Sequence, residues 1–265
     1  MKEIRYVLLD PTGNLTALVL DPVEPQERPR VTEALMKQSE QVGYLTEPKG
    51  SEARARLEMM GGEFCGNASM ATAVFLASLD GPEPGKEEAI LLEVSGAENL
   101  VACRAKSGTD GWRGAVEMPL PTRTEPCRIL GTELDAVYMP GMVHLIYTGP
   151  ALEKAAAEAL LEAAEERFSE PAMGLLQYDR KRKRMIPLVR VRESGTQVWE
   201  TACGSGTAAV GYLEAVKAGS SVNVEVCQPG GALRAEAEWR AGRPARMILS
   251  GTVGLNPPQV LILPS

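Results

Sequence analysis

Two cysteines in this sequence occupy similar glycine-rich turns, each directly before a run of small and apolar residues that predicts a helix. The first turn spans residues 61–66 (GGEFCG) and the second spans 203–206 (CGSG). At a helix N-terminus, free backbone N–H groups and the positive end of the helix dipole lower the pKa of a thiol from about 8.5 and favour bound anions. Gly66 and Gly204 allow a ligand to approach the backbone closely. We therefore expect two reactive thiols, Cys65 and Cys203, each beside an anion site.

A thiol and a thiolate on opposite faces of one carbon could racemise an amino acid. The α-proton is very weakly acidic, so its removal requires a base and stabilisation of the negative charge that develops on the carboxylate. One thiolate would take the proton and the opposite thiol would return one. This chemistry requires neither pyridoxal phosphate nor a metal, so we expect no cofactor. Cys103, Cys127 and Cys227 lie in strand-like or turn contexts and are expected to be structural.

The elements that must position these cysteines follow the same order in both halves of the chain. Apolar periodicity predicts strands at 4–9, 15–20, 54–60 and 88–118 in the first half, and at 135–147, 173–179 and 185–192 in the second. It predicts helices at 30–42, 67–79 and 151–168, and a further helix after the second cysteine turn. This order favours a duplicated α+β unit.

Composition excludes several classes of function. The net charge of −7 and a pI of about 5.1 argue against nucleic acid as a partner. The basic run 180–184 is interpreted as a solvated turn, with a patch for an anionic partner as the alternative. We expect neither a membrane span nor a signal peptide. The odd number of cysteines gives no disulfide framework, which favours a reduced, cytoplasmic protein. His144 is the only histidine, so no zinc site is expected.

The two cysteine turns resemble those of the diaminopimelate epimerase superfamily, which has a CGNG-type turn in its first half and an ACGTG turn in its second. The corresponding segments here are 64–68 (FCGNA) and 201–206 (TACGSG). The resemblance implies an α+β fold of two pseudo-symmetric domains, each a curved sheet around a central helix, with the active site in the cleft. The implied domains are 1–118, to which a final strand at about 256–265 returns, and 119–255. It also implies a homodimer.

The resemblance further implies roles for individual residues. Cys65 and Cys203 match the catalytic pair, and Asn14 matches an asparagine that contacts the substrate. His144 matches a histidine that assists the first cysteine, and Glu193 a glutamate that assists the second, with Glu200 as a competing candidate. The residues that match the turns holding the α-carboxylate are Gly66, Asn67, Gly204 and Ser205.

Departures from the pattern indicate a different substrate. The arginine that holds the distal carboxylate of diaminopimelate is replaced by Ser194, and three asparagines are replaced by Met59, Met142 and Met173. A distal carboxylate would lose its charge partner, whereas a methionine-lined pocket could accept an imidazole or an aliphatic group.

The sequence is closest to the histidine racemases of this superfamily, which serve staphylopine-type metallophore pathways. The similarity lies in residues 10–14 (DPTGN), 40–43 (EQVG) and 63–68 (EFCGNA). A histidine racemase is therefore favoured. The alternatives are a diaminopimelate epimerase, a racemase of another amino acid, a thiol redox protein and a non-catalytic protein that binds a small molecule on the same scaffold.

Overall fold

The computed structural model describes residues 2–81 and 83–263, and the chain forms two compact units. The first unit runs up to Glu117 and includes the residues from Ser250 onwards, while the second is Met118–Leu249. Met1, Pro82, Pro264 and Ser265, which fall within the expected domain bounds, lie outside the described residues.

The first unit combines a mixed sheet with two helices. Its helices are α1 (Arg28–Leu35) and α2 (Gly66–Leu79). Its first strands are β1 (Lys2–Pro11), β2 (Thr16–Val19), β3 (Gln41–Thr46), β4 (Ala55–Met59), β5 (Glu87–Val94), β6 (Val101–Gly108) and β7 (Gly111–Met118).

The second unit also contains two helices, and the last of its strands continues from Ser250 into the first unit. Its helices are α3 (Lys154–Ala163), which a short 3₁₀ turn extends to Glu166, and α4 (Gly204–Ala218). Its strands are β8 (Arg123–Ile129), β9 (Thr132–Met139), β10 (Met142–Tyr147), β11 (Ala172–Asp179), β12 (Arg184–Val191), β13 (Thr196–Trp199), β14 (Val222–Gln228), β15 (Gly231–Arg240) and β16 (Arg243–Leu255). The chain then adds β17 (Gln259–Leu263), which pairs with β1 in the first unit.

Strand pairing repeats between the units. In the first, β1–β2 is antiparallel, β2–β3 parallel, β3–β4 antiparallel, β4–β5 parallel and β5–β6 antiparallel. In the second, the pairs β9–β10, β10–β11, β11–β12, β12–β14 and β14–β15 follow the same alternation. The extra strand β13 pairs with β12. The predicted α+β fold is confirmed.

Each unit packs its sheet against a central helix. Helix α2 contacts β1, β5 and β6, and it is buried from Gly66 to Ala77. Helix α4 contacts β9, β10, β14 and β15. A helix enclosed on all sides must be apolar around its whole circumference, which explains the alanine-rich sequence of α2, whereas α4 keeps a partly exposed face that includes Tyr212 and Glu214. The left-handed backbone of Gly219 (φ 62°) ends α4.

The predicted helix at 30–42 is too long. Helix α1 ends at Leu35, and residues 41–42 already belong to β3. The carbonyl of Leu35 accepts hydrogen bonds from the Gln38 N–H (3.0 Å) and the Ser39 hydroxyl (2.9 Å), so the helix is capped at this point. Strands β3, β8 and β13 were not predicted.

The packing of β7 on α2 provides a test of the first unit. A Cβ at Gly114 would lie 2.3 Å from Met70 Cγ and 3.1 Å from the Met70 carbonyl oxygen, while a Cβ at Gly108 would meet nothing closer than 3.6 Å. Overpacking forces the backbone to shift. We expect Gly114→Ala to lower the free energy of unfolding by about 1–3 kcal/mol, and Gly108→Ala to change it by less than about 0.5 kcal/mol. Urea titration of both variants measures this. Equal stabilities would contradict the described packing.

Candidate active site

Cys65 lies at the N-cap position of α2, in an extended backbone conformation (φ −127°, ψ 112°). Its sulfur accepts the Ala68 N–H (3.4 Å), and its thiol donates to Gln41 Oε1 (3.2 Å). The Cys65 carbonyl accepts the N–H (3.0 Å) and the hydroxyl (2.7 Å) of Ser69. The sulfur therefore takes the place of the oxygen that usually caps a helix.

A network of side-chain amides surrounds this cysteine. Gln41 Nε2 donates to Asn14 Oδ1 (2.8 Å) and Thr16 Oγ1 (2.7 Å). Asn67 Nδ2 also donates to Asn14 Oδ1 (3.1 Å), and Asn14 Nδ2 donates to Glu40 Oε2 (2.7 Å). These bonds orient the Gln41 amide so that its oxygen faces the thiol. The expected residues Asn14 and Asn67 thus lie together with the cysteine, and we call this group the first thiol site.

Cys203 has the same position at the start of α4 (φ −105°, ψ 108°). Its sulfur accepts the Gly206 N–H (3.3 Å) and lies 3.5 Å from Ser205 Oγ. Its carbonyl accepts the N–H (3.0 Å) and the hydroxyl (2.8 Å) of Thr207. The backbone around this second thiol site therefore repeats that of the first.

Gln228, at the end of β14, holds the backbone of Cys203. The Cys203 N–H donates to Gln228 Oε1 (2.7 Å), and Gln228 Nε2 donates to Thr207 Oγ1 (2.9 Å). The Thr207 hydroxyl in turn donates to the Cys203 carbonyl. Gln228 therefore holds the Cys203 N–H directly and the Cys203 carbonyl through Thr207.

Opposing influences act on the acidity of Cys203. Burial raises the pKa of the thiol well above its usual value, and the negative charge of Glu200, which also hydrogen-bonds the thiol, raises it further. The Ser205 hydroxyl and the Gly206 N–H lower it by stabilising the thiolate. The structure places Glu200 beside the sulfur, whereas Glu193 lies in the exposed turn between β12 and β13.

His144 is completely buried, on β10, and its Nε2 lies 2.9 Å from Ser205 Oγ. In the sheet, His144 is paired with Val137 on β9 and with Gly174 on β11. A Cβ at Gly174 would lie 2.3 Å from His144 Nδ1, so only glycine leaves room for the ring. Burial lowers the pKa of His144 to about 3, and the imidazole is neutral near pH 7. In this unit, then, His144 contacts the turn that follows Cys203.

Four residues replace the arginine and the three asparagines that hold the distal group of diaminopimelate, and their burial differs from one to the next. Met173 is 1 % exposed and packs in the core of the second unit. Met59 is also buried, and Met142 is half-buried at the start of β10. Ser194 lies in the same exposed turn as Glu193 and bonds Thr196.

Several residues of the two sites were not found from the sequence. Ser69 and Thr207 stand four positions after their cysteines, and comparing the two turns would have found them. Gln41 lies in a segment of family similarity but carried no predicted role. Gln228 and Gly174 have no local signal, because only strand packing brings them to the site.

Among residues 2–81 and 83–263, no group of three or more His, Cys, Asp or Glu side chains is arranged to hold a metal ion. No helix in the described part of the chain is long and apolar enough to cross a membrane.

The burial of His144 predicts a pH dependence of stability. As pH falls below about 6.5, the unfolded chain binds a proton at this residue, whereas the folded protein does not until about pH 3. Between these two pH values the unfolded state therefore binds more protons than the folded state. The contribution of the neutral His144 to the free energy of unfolding is complete above about pH 6.5 and is lost as pH falls, by at most about 1.4 kcal/mol per pH unit. We expect the difference in unfolding free energy between the wild type and His144→Gln to shrink between about pH 7 and pH 5. Urea titrations measure it, and parallel pH profiles would contradict the burial.

Characterised relatives resemble this chain over most of its length. A histidine racemase of Fusobacterium nucleatum is 29 % identical over 241 residues, which cover 87 % of this chain and 88 % of the relative. A histidine racemase of Staphylococcus aureus (strain Mu50) is 28 % identical over 245 residues, covering 87 % of each chain.

The fold also matches solved structures. The crystal structure of a hydroxyproline epimerase from Agrobacterium vitis superposes with a TM-score of 0.70 and 14 % sequence identity, covering 98 % of this chain and 92 % of that one. At this identity the match establishes the fold alone.

A family model described as the histidine racemase CntK N-terminal domain matches residues 3–257. That range contains both thiol sites. The chain therefore belongs to the histidine racemase CntK family of isomerases.

Proposed function

We propose that this protein interconverts L- and D-histidine without a cofactor, using Cys65 and Cys203 as the acid–base pair. The observation that carries the proposal is the repeated N-cap position of the two cysteines, each with its sulfur bonded to a first-turn N–H. Histidine as the substrate is supported by family membership and by the relatives named histidine racemase.

Each sulfur has the surroundings that a group alternating between thiol and thiolate requires. An N–H donor, from Ala68 or Gly206, stabilises the thiolate. An acceptor oxygen, from Gln41 or Glu200, takes the hydrogen of the thiol. Because both protonation states have a partner, neither is strongly disfavoured by an unsatisfied group. In this proposal Glu200 assists Cys203, whereas Glu193 has no part.

The substrate α-carboxylate is proposed to accept hydrogen bonds from the first helical turns, from the backbone N–H groups of Gly66, Asn67, Gly204 and Ser205. These groups point along the helix axis, where the dipole favours negative charge. The charge on the carboxylate grows as the α-proton leaves, so these bonds strengthen towards the transition state.

The proton transfers balance without a further reactant. The thiolate takes the α-proton from one face and becomes a thiol. The opposite thiol gives its proton to the other face of the α-carbon and becomes a thiolate. The product is the other enantiomer, and the two sulfurs have exchanged protonation states, so the return reaction starts from the other sulfur.

The proposal is tested by α-proton exchange in D₂O. We expect the reduced wild-type protein to exchange the α-proton of L-histidine and to form D-histidine, followed by NMR and chiral chromatography. Cys65→Ala and Cys203→Ala each remove one proton-transfer group and should lower racemisation by at least about 10³-fold. Cys227→Ala is the matched control, because Cys227 is exposed on β14 and should leave turnover unchanged.

Substantial racemisation by either single active-site variant would refute the two-cysteine scheme. A panel that includes diaminopimelate and aliphatic L-amino acids tests the substrate. Preference for any of these over histidine would refute histidine as the substrate while leaving the scheme intact. No exchange with any member would favour the binding-protein alternative.

We further propose that the protein is a cytoplasmic homodimer. The mechanism requires reduced thiols, which a reducing compartment maintains, and dimerisation rests on the family resemblance. Sedimentation equilibrium should give about twice the chain mass of 28.4 kDa. A monomer at micromolar concentration that still racemises histidine would contradict the dimer.

A further inference from the structure

We propose that Ser205 is a positioning residue whose hydroxyl, held by the neutral ring of His144, is directed at the sulfur of Cys203 and favours its thiolate form. The inference deepens the proposed function, and its significance for catalysis rests on it. The geometry that carries it lies within the second unit: Nε2 to Oγ is 2.9 Å and Oγ to Sγ is 3.5 Å.

The first step concerns the tautomer of His144. Its Nδ1 is buried and has no hydrogen-bond partner among the residues that the structure describes, while its Nε2 is bonded to the serine. A buried N–H without an acceptor costs more than a buried lone pair without a donor, and such orphaned N–H groups are rare. The ring proton therefore belongs on Nε2. Burial holds the pKa of the ring at about 3, so the imidazole carries a single proton near pH 7.

The second step concerns the serine. Because Nε2–H donates to Ser205 Oγ, the hydroxyl cannot direct its own hydrogen back at the ring. The remaining partner at Oγ is Cys203 Sγ, and a hydroxyl that donates to sulfur stabilises a thiolate. The tautomer of one buried residue thus fixes the direction of a hydrogen bond at another.

The hydrogen bond from Ser205 opposes the groups that favour the protonated form of Cys203. Burial and the charge of Glu200 favour the thiol, while Ser205 and the Gly206 N–H favour the thiolate. The strands beside His144 present Val137 and Gly174, which are uncharged, so Glu200 is the charged group that acts on this site.

The first thiol site is built from other residues. Asn67 occupies the position of Ser205 in the first turn, and its amide donates to Asn14 Oδ1 (3.1 Å). The cysteine of that site meets Gln41 Oε1, an acceptor. The inference therefore predicts an effect on Cys203 alone, and Cys65 provides an internal control in every sample.

The test is the alkylation of each cysteine by iodoacetamide as a function of pH, resolved by peptide mass spectrometry. The midpoint of the rate profile reports the thiol pKa, and its plateau reports access to the sulfur. We expect Ser205→Ala to raise the Cys203 midpoint by about one pH unit, which is a tenfold loss of thiolate near neutral pH. Ser205→Thr keeps the hydroxyl and should restore the midpoint. His144→Leu should raise it by a smaller amount, and the Cys65 midpoint should not move.

An unchanged Cys203 midpoint in Ser205→Ala, or an equal shift at Cys65, would overturn the inference. A second measurement does not depend on any variant: ¹⁵N NMR of the single histidine should show a protonated Nε2 and an unprotonated Nδ1. The reverse pattern would also overturn it. Neither measurement needs turnover, so a failure of the inference is distinguishable from a failure of the proposed racemase activity.

Discussion

The first-turn N–H groups of a helix have no acceptor within the helix, and in this protein a cysteine sulfur accepts one of them in each unit. The sulfur stands where an N-cap oxygen usually stands, and bonds the third residue of the helix. The same bond that satisfies the helix also holds the sulfur at the positive end of its dipole. The start of each central helix and the position of its thiol therefore depend on one contact.

The two units share this backbone device but surround it with different chemistry. Around Cys65 the thiol donates to the Gln41 amide, whose orientation is fixed by bonds to Asn14 and Thr16. Around Cys203 the neighbours are a carboxylate and a hydroxyl that contacts an imidazole. The two related turns therefore hold thiols that have different side chains around them, which suits the proposed reaction, in which one thiol and one thiolate are required.

The sequence predicted the features that are encoded within a few neighbouring residues, and it did not predict those that depend on contacts between distant segments. The cysteine turns, the helices after them and most strands follow from short-range patterns, and these predictions agree with the structure. The end of α1 was misplaced because capping by Ser39 outweighed the apolar periodicity that continues beyond it. Glu193 was chosen by counting from a motif, but the hairpin of β12 and β13 carries it into an exposed turn, while Glu200 follows the return strand to the sulfur. Gln228 and Gly174 reach the second site only through sheet packing, which no local pattern encodes.

The pairing of β1 with β17 bears on how the protein is made. Residues 2–6 pair with residues 259–263, so the whole second unit is synthesised between these two strands. Until β17 has been synthesised, one edge of β1 presents unpaired N–H and C=O groups. The second unit, whose residues are contiguous, can fold while the first is still incomplete. Synthesis of this chain therefore leaves the edge of β1 exposed to pairing with other strands until the second unit and β17 have been made.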